Sequence, residues 1–286
     1  MRVARVNEIE LEYEVKGSGE PILLVSPVLA DGFLPFFSEP SLVGQYQLIG
    51  YHKRGWAGST HTPPPVDIAD HVTDAVSLLG HLGVRCAHVV GHSSGGSIAL
   101  QLALEHPDLV HTLVLLEPTI LSVPRAEAFL QAAGPIFQAY AAGHHETALE
   151  QFMSAVSGLE WKTCRAILEE HIPGATAAAL KDVDTLFGVE LPALTRWSFG
   201  PSSAAMISEP VLSVVGTKTQ PLWVETAELL RSWLPRIEER PIEGVGHLLH
   251  IQSPAPVARG IAEFLKRHAT NLHPPKPKLR SVSPAA

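Results

Sequence analysis

Hydrophobic positions along the chain fall into two rhythms. Residues 3–16 alternate apolar and polar, as a half-buried strand does, and the turn Lys16–Pro21 ends the alternation. Ile22–Ser26 (ILLVS) is solidly apolar, and a further strand is expected near Tyr46–Tyr51. A continuous apolar run suits a strand covered on both faces, as in a parallel sheet. From Asp67 to Gly83 the pattern changes to helical spacing, with apolar residues at 68, 72, 75, 76 and 79. Asp67 is placed to cap that helix and Gly83 to stop it. Ala87–Val90 then reads as strand, the segment from Ser97 to just before Pro107 as helix, and Val110–Pro118 as strand again.

Strand and helix in alternation predict an α/β fold, with a mostly parallel sheet and helices on both faces. The rhythm breaks after Pro118. Residues 121–204 are Ala-rich and helical in character, with no clear strand. It resumes at Val211–Val215, followed by a helix over Val224–Leu234, a short strand around Ile237–Pro241 and a closing helix. The expected organisation is a core in two parts, 1–120 and 205–268, interrupted by a helical lid or cap over 121–204. Residues 269–286 are Pro-rich, basic and nearly free of apolar side chains, and are expected to be disordered.

Composition narrows the partners. With 286 residues, 45% of them hydrophobic and 17% charged, the chain can bury a substantial core. A net charge of −8 argues against nucleic acid as a partner. Fifteen histidines raise the question of metal, but no HExxH, CxxC or CxxH spacing occurs. The adjacent pair His144 and His145, beside Gly143, reads as a solvated turn. Two cysteines, Cys86 and Cys164, provide no disulfide framework and suit a reducing cytoplasm. The N-terminus has no apolar core of a signal peptide, and no run of about 18 apolar residues predicts a membrane span. The expected location is therefore cytoplasmic.

The chemistry sits at Gly91-His92-Ser93-Ser94-Gly95, a G-x-S-x-G pentamer. The pentamer alone is weak, but an apolar strand leads in and an apolar-periodic helix leads out. A strand–turn–helix of this kind projects a nucleophile from the C-terminal edge of a sheet. Gly91 and Gly95 remove side chains that would collide as strand and helix approach, and Gly96 gives further room. A serine hydroxyl needs a base, and the base needs an orienting acid. His247, after the small residues Gly244 and Gly246 in a late loop, is the expected base. His250, three residues on, is the rival.

Strand–GHSSG–helix, RGWAGS, a helical insertion and a late GVGH together resemble the α/β-hydrolase superfamily over residues 3–268. In most of that superfamily the acid is an Asp in the loop after the strand that precedes the histidine. Here that loop, Thr217, Lys218, Thr219 and Gln220, holds no carboxylate. Chain order and the sheet edge point instead to Glu117, which ends the strand after the nucleophile's helix. A carboxylate ending a buried apolar strand is costly without a partner, and a histidine supplies one. Glu225 on the following helix is the rival acid, while Asp182 and Asp184 are expected at the surface. An acid at the earlier strand resembles one subgroup of haloalkane dehalogenases and the fungal zearalenone lactonases, which use Ser, Glu and His. The doubled Ser93-Ser94, the LLE strand end and the acid-free loop carry that partial resemblance. The lid differs, so no substrate is carried over.

The resemblance also implies an oxyanion hole from the backbone N–H groups of Ser94 and Val28. The family's usual His-Gly is replaced here by Ser26-Pro27, and Pro27 has no N–H to donate. Trp56, Phe137, Trp161, Phe187 and Trp197 are candidates for a substrate pocket. The expected activity is that of a cofactor-free, metal-free serine hydrolase acting on a small apolar ester or lactone. A homodimer is the one assembly allowed for. Ser93 in place of an Asp nucleophile argues against dehalogenase and epoxide hydrolase chemistry. C–C bond hydrolysis, a lyase or cofactor-free oxygenase, and a non-catalytic small-molecule receptor on the same fold stand as alternatives.

Overall fold

A computed structural model describes residues 1–234 and 236–269. Eight strands form one sheet: β1 (Arg2–Val6), β2 (Ile9–Gly17), β3 (Glu20–Val25), β4 (Tyr46–Tyr51), β5 (Ala87–His92), β6 (Val110–Leu116), β7 (Val211–Gly216) and β8 (Glu238–Ile242). Their spatial order is β1-β2-β4-β3-β5-β6-β7-β8. β1 with β2 and β2 with β4 pair antiparallel, and every later pairing is parallel. The alternation over residues 3–16, read as one strand, is two. Asn7 and Glu8 both take positive φ, 54° and 64°, and fold the segment into a hairpin.

The solidly apolar strands are explained by their two faces. Leu23 and Val25 of β3 join Leu113 and Leu115 of β6 in one core cluster. Ile22 and Leu24 join Val114 and Leu116 in the cluster on the opposite face. Helices Ile68–His81, Ser94–Glu105 and Pro221–Trp233 cover the first face, and Pro254–Arg267 covers the second. Asp67 caps the first helix by a reciprocal bond with Asp70. Between β6 and β7 the chain is wholly helical, running from Pro124–Ala132 to Pro201–Ala204. Those helices pack on the first face, around the C-terminal ends of the strands. The segment expected to be a disordered tail lies, from residue 270 on, outside the described residues. Among the described residues, no helix is long and apolar enough to cross a membrane.

Candidate active site

The turn after β5 presents Ser93 and Ser94. Ser93 has φ 53° and ψ −121°, a conformation an L-residue holds only where its surroundings enforce it. The enforcement comes from close backbone approach. A Cβ on Gly95 would strike the carbonyl oxygens of Val25 and Ser26, and one on Gly91 would strike Gly95. A Cβ on Gly96 would lie 2.6 Å from Pro118 Cβ. Ser94 is the first residue of the helix Ser94–Glu105, so its N–H has no partner within that helix.

The adjacent strand ends in a second strained residue, Glu117, at φ 42°. The bend lets Thr119 return to the Ser93 turn, where its N–H donates to Ser93 O at 3.0 Å. Glu117 is buried, and its carboxylate is fully engaged. Oε1 accepts from Gly216 N at 2.8 Å. Oε2 accepts from Thr219 Oγ1 and lies against His247 Nδ1, each at 2.8 Å. With Nδ1–H donating to Glu117, His247 keeps Nε2 as its acceptor, the atom a general base uses. The imidazole stacks on the Trp223 indole, centroids 3.9 Å apart and planes within 5°. The His247 carbonyl accepts from His92 Nε2 at 2.8 Å. Burial, and then the neighbouring His250 and His247, hold His92 well below its ordinary range, so it stays a neutral donor.

The rivals lie elsewhere. His250 is fully buried against Phe33, Phe36 and His92, and burial lowers its pKa to about 3. Glu225 accepts from Arg125 N at 2.7 Å, facing the inserted helix Pro124–Ala132. Asp184 is exposed and accepts from the Tyr140 hydroxyl. Asp182, expected at the surface, is buried instead, because the Ala57 N–H at 2.9 Å draws it against the loop after β4.

An apolar cavity opens beside Ser93, with an empty volume of about 590 Å³, mouth included. Ser93, Ser94, Val28, Thr119, Phe137 and Trp223 are among its walls, and its lining has no charged side chain. The other aromatics proposed for a pocket have different surroundings. Trp56 is buried and donates from its indole to Glu190 at 3.0 Å. Phe187 sits behind the wall, against Phe137 and Phe152. Trp197 donates to Gln101 at 2.7 Å, and Trp161 opens the outer helix Trp161–His171. Spacing marks an aromatic as apolar, but tertiary burial decides whether it faces a cavity or another helix.

A buried polar cluster lies behind Ser94. Lys53 pairs with Glu190 and also reaches Ser94 Oγ at 3.3 Å. Glu190 ends a π-helical stretch, Leu186–Glu190, in the inserted helices. Burial alone would raise the Glu190 pKa, but the Lys53 charge and the bonds from Lys53 and Ser94 carry it below the usual value. Arg54 is tied to Asp74 by two bonds of 2.6 Å. Among the described residues, no cluster of three or more metal-ligating side chains occurs.

A family profile described as the alpha/beta hydrolase fold matches residues 26–254. The chain belongs to the α/β-hydrolase family. One curated relative of this α/β-hydrolase, from Caulobacter vibrioides, carries a provisional carbamate hydrolase name. It is 36% identical over 111 residues, or 37% of this chain and 41% of the relative. The chain thus matches less than half the length of that relative. Among solved structures, an α/β-hydrolase enzyme from a Medee basin deep-sea metagenome superposes with a TM-score of 0.78. It is 18% identical, with 95% of this chain and 99% of the other covered. A thermophilic esterase from Thermogutta terrifontis gives a TM-score of 0.76 at 21% identity, covering 94% and 99%. At such identities the likeness is one of fold.

Thr219, Trp223, Thr119 and His92 touch Glu117, His247 or Ser93, and the sequence assigned none of them a catalytic role. The acid-free loop did carry a signal for the first. A loop emptied of carboxylate but rich in hydroxyls is suited to donate to an acid held elsewhere.

Proposed function

We propose that this α/β-hydrolase is a cofactor-free serine hydrolase that cleaves a carboxylic ester or lactone through an acyl-enzyme on Ser93. The observation that carries the reading is the 2.8 Å bond between Glu117 and His247 beside the cavity that Ser93 lines. In this mechanism Ser93 Oγ attacks the carbonyl carbon while His247 Nε2 takes its proton. Glu117 holds the ring and stabilises the imidazolium. The N–H groups of Ser94 and Val28 hold the oxyanion. The intermediate collapses as His247 returns the proton to the leaving oxygen, which in a lactone stays attached to the acyl chain. Water, activated by the same histidine, then releases the acid. An apolar, uncharged cavity fits a neutral acyl group and disfavours a carboxylate-bearing substrate. Helices 121–204 act as its cap.

A panel of p-nitrophenyl esters and lactones, run on wild type and Ser93→Ala, tests the reading. Turnover by wild type, its loss in the variant and labelling of Ser93 by a fluorophosphonate are expected. Wild type that neither turns over any ester or lactone nor labels would instead favour a receptor. Turnover that survives in Ser93→Ala would remove the acyl-enzyme.

A further inference from the structure

Ser93 Oγ has a neighbour that the triad does not use. Thr119 Oγ1 lies 3.2 Å away, on the wall of the cavity. The placement is built from several directions. Thr119 N donates to Ser93 O at 3.0 Å, and Ser97 Oγ donates to Thr119 O at 2.5 Å. Pro118 is seated against Gly96. The same strained bend that aims Glu117 at His247 therefore aims the Thr119 hydroxyl at the nucleophile.

Donor accounting sets the direction of the bond. In the mechanism above, the Ser93 hydroxyl gives its proton to His247 Nε2. The Ser93 oxygen is then free to accept, and Thr119, which is 7% exposed, is the hydroxyl that faces it. We propose that Thr119 is a catalytic residue that donates to Ser93 Oγ and chiefly accelerates release of the acyl-enzyme. The inference rests on the serine-hydrolase reading.

The chemistry differs between the two half-reactions. In acylation the resting hydroxyl oxygen already accepts from Thr119, so the gain on reaching the transition state is partial. In the acyl-enzyme, Ser93 Oγ is the alkoxy oxygen of an ester, a poor acceptor. Water adds to the carbonyl carbon and passes one proton to His247. The C–Oγ bond then breaks, its electron pair goes to Oγ, and His247 returns the proton there. The products are the free acid and Ser93. Charge on Oγ grows only as that bond breaks, so the Thr119 bond is made mostly in the transition state and raises the rate. A hydrogen bond to a charged group is worth a factor of about ten to a hundred.

Pre-steady-state hydrolysis of p-nitrophenyl butyrate separates the steps. Thr119→Val keeps the shape and removes the donor. It is expected to slow deacylation about tenfold to a hundredfold, with a burst of nitrophenol near one equivalent and acylation slowed by a smaller factor. Thr119→Ser restores the donor and should return deacylation to within a few-fold of wild type. If Thr119→Val does not fold, Thr119→Ala carries the same comparison. Deacylation unchanged, or acylation and deacylation slowed by the same factor, would overturn the proposal. Wild type with no Ser93-dependent turnover would bring down the serine-hydrolase reading and this inference with it. Wild-type turnover beside an undisturbed Thr119→Val brings down the inference alone.

Discussion

Glu117 is where residue-level physics is most exposed. A buried carboxylate at φ 42° combines backbone strain with desolvation, and both need compensation. The compensation is three hydrogen bonds, from Gly216, Thr219 and His247. Two of those donors come from β7 and the loop after it, where relatives usually carry the acid itself. The carboxylate thus reaches His247 Nδ1 from the neighbouring strand, and the loop's hydroxyl anchors it. Glu117→Gln replaces one acceptor oxygen with a donor and disfavours the Nδ1–H tautomer of His247. It should lower kcat by about a thousandfold to ten-thousandfold. Steady-state kinetics on an ester that wild type turns over is the measurement. A variant within a few-fold of wild type would remove Glu117 from the catalytic set.

At the level of elements, the turn at Ser93 is held by glycine on one side and by charge on the other. Gly91, Gly95 and Gly96 let the strand, the helix and Pro118 meet at backbone distance. On the far side, the inserted helices reach in through Glu190 to Lys53 and Ser94. Removing one member of a buried pair leaves the other charge uncompensated, which costs about 3–5 kcal/mol. Lys53→Met or Glu190→Leu should each lose stability on that scale. The double variant, which removes both charges, should recover much of the loss. Urea unfolding of the three proteins is the check. Additive losses in the double variant would mean that the pair does not couple the inserted helices to the turn at Ser93.

For the whole molecule, the histidines make stability depend on pH. Burial lowers His71 and His88 from 6.5 to about 4, and His250 to about 3. Between those values and 6.5 the unfolded chain binds protons that the folded chain refuses. Stability is then complete above about pH 6.5 and falls as the pH drops toward 4, by at most about 1.4 kcal/mol per pH unit for each histidine. His52 works the other way. Burial lowers its pKa, but bonds to Asp31 and Glu12 outweigh that and raise it. With His92 also held low, four lowered histidines against one raised predict a net loss on acidification. Denaturant unfolding at pH 7.5 and pH 5 should show it, with a shallower dependence in His250→Phe. Equal stability at the two pH values would contradict the prediction.

Local pattern carried much of the architecture. A strand covered on both faces must be apolar throughout, and a helix on a sheet must be apolar at every third or fourth position. The α/β order, the helical insertion and the turn at Ser93 are therefore written in short windows of chain. The hairpin at Asn7 shows only as a one-position shift in the alternation, from Ala4 and Val6 to Ile9, Leu11 and Tyr13, which a reading of residues 3–16 as a single run hides. What surrounds the candidate acid and base was not written locally. Thr219 meets Glu117 across 102 positions of sequence, and Glu190 meets Lys53 across 137. Such contacts exist only because parallel crossovers bring the ends of β5, β6 and β7 to one edge and lay the inserted helices over them. By itself the sequence determined which residues could act and on what fold. Tertiary structure decided which side chains hold them, which aromatics wall the cavity, and that Thr119 lies against Ser93. The reason is that burial and long-range neighbours depend on how the elements pack, which periodicity within an element does not encode.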